Sequence, residues 1–436
     1  MTERMLIASI NGLRIGELRE RNGLWAFQYD ASWLANERRY PLSPHLPLQS
    51  ALLTDGASLR PVQWYFDNLL PEEGQRVLLA ADARLDTADA FGLLAYYGAE
   101  SAGSLTLRLA DAPDLDTAAS LRPLPDTALS RRIRQLPRVP LTHGASKRMS
   151  LAGAQHKLAI VVRDDQLYEP MGALPSLQIL KPEHPDPAYP HSVVNEWFVM
   201  QLAAQMGLAV PAVRRRYVPE SIYIIDRFDR VRVDGTWERR HVIDACQLLG
   251  LDRSFKYMQG SLENLARLAA ACRSSAIART RLYSWLVFNV LAGNGDAHLK
   301  NLSFFVSAAG VQLAPHYDLL CTSVYDTRAF GGRNQPDATP LAWPLLHATR
   351  FAEIDRPLLL EAGEALGIHR TTSMRLLDIQ RRNVVAIASQ LYDAFVREAD
   401  ERARARPSLR ATSAGEARYL RAIIHNVIGE MAEKLA

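Results

Sequence analysis

A polar run between two apolar segments carries the residues that are best suited to phosphoryl chemistry. It lies in Asn289–Phe305, which reads NVLAGNGDAHLKNLSFF. Asp296 precedes Asn301 by five residues, as in the kinase catalytic loop, where the aspartate takes a hydroxyl proton and the asparagine holds Mg²⁺. One pair at this spacing is weak evidence by itself, so the rest of the chain has to supply an ATP site around it.

The segments on either side of this run predict how it is held. An apolar helical run, Leu282–Leu291, stops at Gly293, and a strand-like run, Leu302–Val306, follows the polar residues. Helix, polar loop and strand in succession are typical of a rigid scaffold that presents a catalytic loop.

A second carboxylate follows this strand at the distance expected for a metal ligand. Leu302–Val306 and Val311–Leu313 flank a short turn, which predicts a hairpin that leads to Asp318. The second metal-binding aspartate of a kinase follows its catalytic loop in the same way, so Asp318 is the candidate Mg²⁺ ligand beside Asn301. The familiar Asp-Phe-Gly triplet is absent, since Leu319 follows Asp318.

A run of small residues upstream is a candidate for the phosphate-binding loop. Ser150–Lys157 reads SLAGAQHK and leads into the strand-like run Leu158–Val162. Small side chains let backbone N–H groups approach a polyphosphate closely. The run holds only one glycine, so an ordinary lead-in to a hairpin is an open alternative.

The next candidates are a lysine and a glutamate. Lys181 ends the alternating run from Leu177, and Glu196 lies in the amphipathic segment Val194–Met206. A strand lysine paired with a helix glutamate orients the nucleotide phosphates in kinases. The alternatives are a solvated edge lysine and a surface glutamate.

A further strand, Ile222–Ile225, runs into Asp226-Arg227-Phe228-Asp229-Arg230. In a two-lobed kinase such a connection lines the adenine pocket, which makes Asp226 and Phe228 candidates for contacts to the base. For Asp229 and the arginines, structural salt bridges are the favoured interpretation.

The composition is that of an ordinary soluble globular protein. Of 436 residues, 48% are hydrophobic and 22% are charged, and the net charge is +4. We expect no signal peptide and no membrane span, because the apolar runs are short. Three scattered cysteines exclude a disulfide framework and a zinc cluster. The expected location is the cytoplasm.

Changes of pattern along the chain predict three parts: a β-rich N-terminal subdomain at 1–110, a kinase N-lobe at 111–230 and an all-α C-lobe at 231–436. Short β-type runs separated by Asn-Gly dipeptides predict hairpins at the start. The acidic, proline-bearing stretch 111–126 is the best boundary. Helical spacing is seen in Ile243–Leu249, Leu262–Ala271, Ile277–Leu291, Arg356–Leu366, Ser373–Val396 and Ala414–Lys434.

Taken together, several motifs resemble the HipA family, whose members are serine/threonine kinases that act as toxins of bacterial type II toxin–antitoxin modules. In chain order the motifs are FDNLLP, SLAGAQHK, LQILKP, the Asn195-Glu196 helix, IDRFDR, ACQLLG, GNGDAHLKN and APHYDLL. The resemblance spans nearly the whole chain and implies an α+β, two-lobed protein-kinase-like fold with a β-rich N-terminal portion and a large helical C-lobe.

The resemblance also implies roles for individual residues, with ATP and Mg²⁺ as cofactors. Asp296 would be the catalytic base, Asn301 and Asp318 would hold Mg²⁺, Glu196 would form a structural ion pair, and Ser150 would be the autophosphorylation site that shuts the kinase off. The ATP-binding residues would be Leu151, Ala152, Gly153, Ala154, Gln155, His156, Lys157, Lys181, Asp226, Arg227, Phe228, His298, Lys300, Asn301, Tyr317 and Asp318. His156 departs from the family pattern where an acidic residue is common, and Asp226 replaces a familiar glutamate.

The family further implies a small helix-turn-helix antitoxin similar to HipB, DNA contact mainly through that antitoxin, and a protein substrate such as an aminoacyl-tRNA synthetase. The arginine clusters at 214–216, 239–240 and 381–382 are most simply solvated faces. Two other functions stay open at this point: a small-molecule phosphotransferase, and a catalytically silent, kinase-shaped co-repressor.

Overall fold

The chain folds into two compact units, and the computed structural model describes residues 3–110, 119–145, 147–327, 330 and 336–436. The first unit comprises Met1–Pro185, Arg216–Lys256 and Leu302–Ala314, and the second comprises Asp186–Arg215, Tyr257–Asn301 and Pro315–Ala436. Residues 111–118 of the predicted boundary lie outside the described residues. The division at 110 and 230 stays a prediction.

The strands and helices have the following bounds. The strands are β1 Arg4–Ile10, β2 Leu13–Arg21, β3 Leu24–Tyr29, β4 Leu53–Thr54, β5 Leu105–Leu109, β6 Ser120–Pro123, β7 Leu158–Arg163, β8 Gln166–Met171, β9 Gln178–Pro182, β10 Val213–Tyr217, β11 Ser221–Asp226, β12 Arg230–Val233, β13 Thr236–Arg239, β14 Val242–Asp244, β15 Ser303–Ser307, β16 Gly310–Leu313, β17 Pro340–Leu345 and β18 Ala348–Arg350. The α-helices are α1 Ala31–Leu34, α2 Pro61–Asp67, α3 Glu73–Ala83, α4 Ala90–Tyr97, α5 Asp126–Ile133, α6 Ser192–Gln205, α7 Ala245–Leu249, α8 Leu262–Ala271, α9 Ser275–Leu291, α10 Arg356–Ala365, α11 Arg370–Ala405, α12 Arg410–Ile423 and α13 Glu430–Lys434.

The N-terminal sheet of the first unit has the order β4-β3-β2-β1-β5 and is antiparallel throughout. The predicted hairpins β1–β2 and β2–β3 are confirmed, and each turns at an Asn-Gly pair. Asn11 and Gly12 have φ of 48° and 82°, and Asn22 and Gly23 have 54° and 76°. Two successive positive φ angles are what a tight turn between twisted strands requires.

The second sheet has the order β10-β11-β9-β7-β8-β6, and the pairs β11–β9, β9–β7, β7–β8 and β8–β6 are antiparallel. Of β10, Arg216 and Tyr217 belong to the first unit. Strands β7 and β11 are buried on both faces over most of their length, and the alternate residues of β9 that share one face of the sheet with them are buried as well. This face forms a core with Leu158, Ile160, Leu180, Ile222 and Ile224 among its members. The sheet fixes the backbone of β9 and β11, on which candidate site residues lie.

The second unit is mainly helical, and the 36-residue helix α11 packs against α6, α9, α10 and α12. The prediction of a helical C-terminal region is confirmed, but the region is not all-α. The hairpin β17–β18 lies in the second unit, and 231–436 also holds strands that belong to the first. The helix expected over 414–434 is divided, because Ile424–Gly429 forms a π-helical turn.

The helix expected over Ile243–Leu249 begins later than predicted. Val242–Asp244 instead form β14, which pairs with β15. Helix α7 starts after Asp244, whose side chain accepts a hydrogen bond from the Gln247 backbone N–H while the Gln247 side chain accepts one from the Asp244 N–H. This capping box sets the helix start.

Two general properties follow from the described residues. The cysteines Cys246, Cys272 and Cys321 are buried and form no disulfide. Among the helices in the described ranges, none combines the length and apolar composition that crossing a membrane requires.

Candidate active site

The loop that carries Asp296 starts where helix α9 ends, as the sequence predicts. Gly293 follows the helix with a φ of 64°. A Cβ atom at this position would lie 2.4 Å from Val427 Cγ1. Only glycine therefore fits both the backbone angle and the space. We refer to residues 294–301 as the Asp296 loop.

Two buried asparagines fix the first half of this loop. Asn294 donates from Nδ2 to Oδ1 of Asn289 at 2.7 Å, and its own Oδ1 accepts from the backbone N–H of Asp296 at 3.1 Å. Both asparagines are buried. The helix end thus sets the backbone position of Asp296 through a chain of amide hydrogen bonds.

The second half of the loop brings Asp296 and Asn301 together. Asn301 Nδ2 donates to the backbone carbonyl of Asp296 at 2.9 Å, and Leu299–Asn301 form a 3₁₀ turn. Because the amide nitrogen is committed to the loop, the direction of the Asn301 amide oxygen is also fixed. Two residues five positions apart in the sequence thus hold the Asp296 carboxylate and the Asn301 amide oxygen on one fixed loop.

Tyr317 connects the loop to the candidate metal ligand Asp318. Its hydroxyl donates to the backbone carbonyl of Lys300 at 2.8 Å. Asp318 has a φ of 58°, a left-handed conformation that few residues other than glycine adopt. Such conformations persist only where the surrounding structure holds them, and they cluster at functional sites.

Tyr257 is a neighbour of the loop that sequence reasoning missed. Its hydroxyl donates to Oδ1 of Asp296 at 2.6 Å, and its ring lies edge-on to that of His298 with centroids 5.0 Å apart. Tyr257 follows a short 3₁₀ turn in a stretch without periodicity, so no pattern in the sequence indicates its role.

Asn195 is a second residue that the sequence analysis did not assign. It is fully buried on α6, where its Nδ2 donates to the carbonyl of Cys321 and its Oδ1 accepts from the Cys321 N–H, both at 2.8 Å. It therefore positions the segment that follows Asp318. The sequence signal that could have indicated this role is a polar residue on the apolar face of a helix. Glu196, the next residue, is also buried.

In the first unit, the Ser150 loop (residues 150–157) is held by residues from the N-terminal region. Ser150 is fully buried, its Oγ donates to the carbonyl of Leu69 at 2.7 Å, and its N–H donates to the carbonyl of Glu100 at 2.9 Å. Gly153, with a φ of 106°, forms a β-bridge with Pro71. These contacts involve backbone atoms for the most part.

The end of the Ser150 loop places two titratable side chains close to backbone and amide groups. Lys157 Nζ donates to the carbonyl of Ala152 at 2.7 Å, which closes the loop on itself. His156 is buried, and its Nδ1 lies 2.6 Å from Nε2 of Gln75. Burial, with a smaller contribution from His184, lowers the pKa of His156 to about 4. The imidazole is therefore neutral near pH 7.

Nearer the start of this loop, Leu151 packs with Met149, Ala159 and Ile179, whereas Ala154 is exposed. Gln155 and Lys157 line a small cavity behind the loop. The seven predicted nucleotide-contacting positions from 151 to 157 thus lie on one continuous loop.

Lys181 lies on β9, directly across from Tyr223 on β11. Its Nζ is 5.7 Å from the centroid of the Tyr223 ring, within the range of a cation–π contact. Asp226, at the end of β11, accepts from Gln178 Nε2 at 3.1 Å. The ion pair of Lys181 with Glu196 stays a prediction.

Arg227 and Phe228 occupy different environments. The Arg227 side chain is buried and donates to Asp229 at 2.9 and 2.7 Å, which confirms the predicted structural salt bridge. Its guanidinium is thereby engaged within the protein. Phe228 is half-buried and packs edge-to-face on Phe305, with ring centroids 5.9 Å apart. The aromatic side chain remains the better candidate for contact with a base.

The arginine clusters expected to be solvated are partly internal. Arg215 has a side chain only 4% exposed, stacked on the rings of Trp197 and Phe395 and paired with Glu398. Arg239 lies 3.6 Å from Glu100, and Arg240 stacks on Phe305. For Arg215 and Arg239 the solvated interpretation is wrong, because these guanidinium groups pack on aromatic or acidic groups, whereas Arg240 is exposed as predicted.

The available donors suit Mg²⁺. Asn301 and Asp318 offer an amide oxygen and a carboxylate, which are hard ligands of the kind that this ion prefers. In the described part of the chain, no three His, Cys, Asp or Glu side chains are grouped as a metal site. Mg²⁺ in phosphoryl-transfer sites commonly takes one or two protein carboxylates and completes its shell with waters and substrate phosphates, so the two residues fit.

Two family models and several curated proteins match this chain. Residues 6–108 match the HipA N-terminal domain, and residues 149–399 match the HipA-like C-terminal domain. The chain is 32% identical to the protein Y4mE of Sinorhizobium fredii over 416 residues, covering 91% of this chain and 94% of that protein. It is 31% identical to the serine/threonine-protein kinase toxin HipA of Shewanella oneidensis over 340 residues, which cover 73% and 75% of the two chains.

The fold has a solved counterpart. A chain from the complex of Shewanella oneidensis HipA and HipB with operator DNA matches with a TM-score of 0.77 at 25% identity, covering 98% of this chain and 99% of that one. Family models that match both regions, a relative above 30% identity and a shared fold all agree. This chain belongs to the HipA family of serine/threonine-protein kinases.

Proposed function

We propose that this chain transfers the γ-phosphoryl group of ATP, with Mg²⁺, to a serine or threonine hydroxyl, and that it acts as the toxin of a type II toxin–antitoxin module. The observation that carries the proposal is the hydrogen bond from Asn301 Nδ2 to the Asp296 carbonyl within a loop fixed by Asn294. It joins a candidate base to a candidate metal ligand at the kinase spacing.

In phosphoryl transfer a protein contributes mainly by aligning the reacting groups and stabilising charge, and less by covalent chemistry. Bound Mg²⁺ would neutralise charge on the phosphates. Asp296 would accept the proton of the substrate hydroxyl and orient it, while Asn301 and Asp318 would hold the metal ion. Each of these groups is on or next to a loop whose backbone is fixed by buried or partly buried hydrogen bonds.

The remaining roles concern the nucleotide. Lys181 would contact its phosphates, the Ser150 loop would cover them with backbone N–H groups, and Asp226 with Phe228 would meet the adenine. His298 and Lys300 would lie near the transferred group. Support comes from the small residues of the Ser150 loop and from the half-buried ring of Phe228.

Ser150 is the proposed site of autophosphorylation. Its hydroxyl is fully buried against the Leu69 carbonyl, so a phosphate in the same place would set a charge of about −2 against an acceptor oxygen. Modification therefore requires the loop to leave this position and prevents its return. A loop that cannot return cannot cover the nucleotide, which would silence the enzyme.

The test of the catalytic assignment compares Asp296→Asn with Asp393→Asn, an exposed aspartate on α11. We expect Asp296→Asn to bind a fluorescent ATP analogue as wild type does and to lose transfer of labelled phosphate to lysate proteins, whereas Asp393→Asn keeps both. Transfer at the wild-type rate by Asp296→Asn would show that the assignment is wrong.

The test of autophosphorylation is intact mass after incubation with Mg-ATP. We expect one added phosphate in the wild type and in Ser408→Ala, an exposed serine near the C-terminus, and none in Ser150→Ala. Phosphate that persists in Ser150→Ala would place the modified residue elsewhere.

The proposed partner is a small helix-turn-helix antitoxin, because the matching Shewanella HipA structure contains HipB and operator DNA. DNA contact by this chain would then be mainly through the antitoxin. The proposed substrate is a translation-related protein, with an aminoacyl-tRNA synthetase as the first candidate. Phosphoproteomics of cells that express the wild type or Asp296→Asn would identify it, and a salt titration of operator binding with and without antitoxin would test the DNA contact.

A further inference from the structure

The phenol of Tyr257 is bonded directly to the carboxylate that is proposed as the catalytic base. Its hydroxyl donates to Oδ1 of Asp296 at 2.6 Å. That length is typical of an O–H group bonded to an ionised carboxylate, a class of hydrogen bond about twice as strong as a neutral one. Residue Tyr257 is also 39% exposed, so it reaches the loop from the surface of its unit.

We propose that Tyr257 is a positioning residue that sets the orientation of the Asp296 carboxylate, an inference that rests on the proposed role of Asp296. The final torsion of an aspartate side chain is broad and two-fold, so the backbone alone fixes the carboxylate plane weakly. A donor at Oδ1 removes that freedom. An ionised carboxylate has about four acceptor positions, so a bond to Tyr257 is compatible with a further bond to a substrate hydroxyl.

The backbone of Asp296 is fixed separately from its side chain. Asn294 accepts from its N–H and Asn301 donates to its carbonyl, and neither contact sets the carboxylate. Tyr257 therefore contributes what these two amides do not. A small misplacement of a reacting group is enough to reduce a rate by about a hundredfold, so the orientation of the Asp296 carboxylate should affect the rate of phosphoryl transfer.

The ring of Tyr257 is itself held by a contact within its own unit. It packs edge-on against His298, two residues beyond Asp296, with ring centroids 5.0 Å apart. This ring contact limits where the phenol can lie.

The test separates the hydroxyl from the ring. Tyr257→Phe removes only the donor and keeps the contact with His298, whereas Tyr257→Ala removes both. We expect Tyr257→Phe to lower kcat for phosphate transfer to lysate proteins by about tenfold, with the KM for ATP and the Kd for a fluorescent ATP analogue within about twofold of wild type. Tyr257→Ala lowers kcat at least as far. The matched control is Tyr392→Phe, at a half-buried tyrosine on α11, which should keep the wild-type kcat.

Two results would overturn the inference. One is a kcat of Tyr257→Phe within twofold of wild type. The other is a loss of ATP affinity or of thermal stability by Tyr257→Phe that accounts for the whole decrease, since that would make the hydroxyl a structural group only. Failure of the proposed function gives a different pattern, because Asp296→Asn would then retain transfer whatever Tyr257→Phe does.

Discussion

Replacing Glu100 by glutamine should cost this protein a large part of its stability. Glu100 is fully buried, and its carboxylate lies 2.9 Å from Lys147 Nζ, 3.0 Å from the Arg230 guanidinium and 3.4 Å from that of Arg227. Burial alone would raise the pKa of the Glu100 carboxyl, but these cations hold it well below its ordinary value. The Glu100 carboxyl is therefore ionised, and its negative charge compensates the positive charges of the surrounding lysine and arginines.

The magnitude follows from the charges in this cluster. Four cations (Lys147, Arg227, Arg230 and Arg239) surround two carboxylates (Glu100 and Asp229). Glu100→Gln keeps the volume of the side chain and leaves four cations facing one carboxylate. Removing one partner of a buried ion pair typically costs about 3–5 kcal/mol, because an uncompensated charge stays behind. We expect a decrease of that size in the free energy of unfolding.

Urea unfolding of the full chain, followed by circular dichroism, measures this difference. Glu17→Gln is the matched control, since Glu17 pairs with Arg14 and Arg19 at a partly exposed position and should change stability by less than about 1 kcal/mol. If Glu100→Gln unfolds within about 1 kcal/mol of wild type, the cluster is not held by this charge and the reasoning fails.

Two further predictions concern His156 and Gly293. The folded-state pKa of His156, about 4, lies below its ordinary value of 6.5, so its contribution to stability is complete above pH 6.5 and is lost as the pH falls from 6.5 towards 4. Between pH 7 and pH 5, the wild type should lose about 2 kcal/mol more than His156→Gln in urea unfolding; equal losses would contradict this. Gly293→Ala should destabilise by about 2–4 kcal/mol, because it adds a positive-φ penalty to a clash with Val427. Gly207→Ala, where φ is 83° and no atom lies within 4 Å of the new Cβ, should show only the first cost, about 1 kcal/mol, and equal effects at the two glycines would refute the clash.

The local elements of this fold were predictable because they depend on periodicity and turn residues. The hairpins at Asn11-Gly12 and Asn22-Gly23 and the stop of α9 before Gly293 all follow from local rules. The helix predicted from Ile243 failed where a tertiary contact decided the outcome, since the pairing of β14 with β15 outweighed local helical composition. Such a pairing joins residues about sixty positions apart and leaves no local pattern.

The residues of the candidate site likewise fall into those that a local sequence pattern indicates and those that only the fold brings into contact. Asp296, Asn301 and Asp318 could be predicted as site residues because their spacing along the chain matches that of a kinase catalytic loop. Tyr257 was missed because its bond to Asp296 spans 39 residues, and a tyrosine in an irregular stretch has no distinguishing neighbours. Asn195 could have been found, since an asparagine among buried apolar residues of a helix has to satisfy its amide.

The contacts of the Ser150 loop indicate what the first hundred residues contribute to this kinase. The loop is fastened at three points: by the Leu69 carbonyl to Ser150 Oγ, by the Glu100 carbonyl to the Ser150 N–H, and by the bridge from Pro71 to Gly153. All three use main-chain atoms of the N-terminal region, so a change of side chain there would leave them in place. The exception is Glu100, whose carboxylate also binds Lys147, three residues before Ser150. Because this one side chain stabilises the lead-in to the loop while its backbone holds the loop itself, Glu100 is the position at which a substitution in the N-terminal region would most directly loosen the buried state of Ser150.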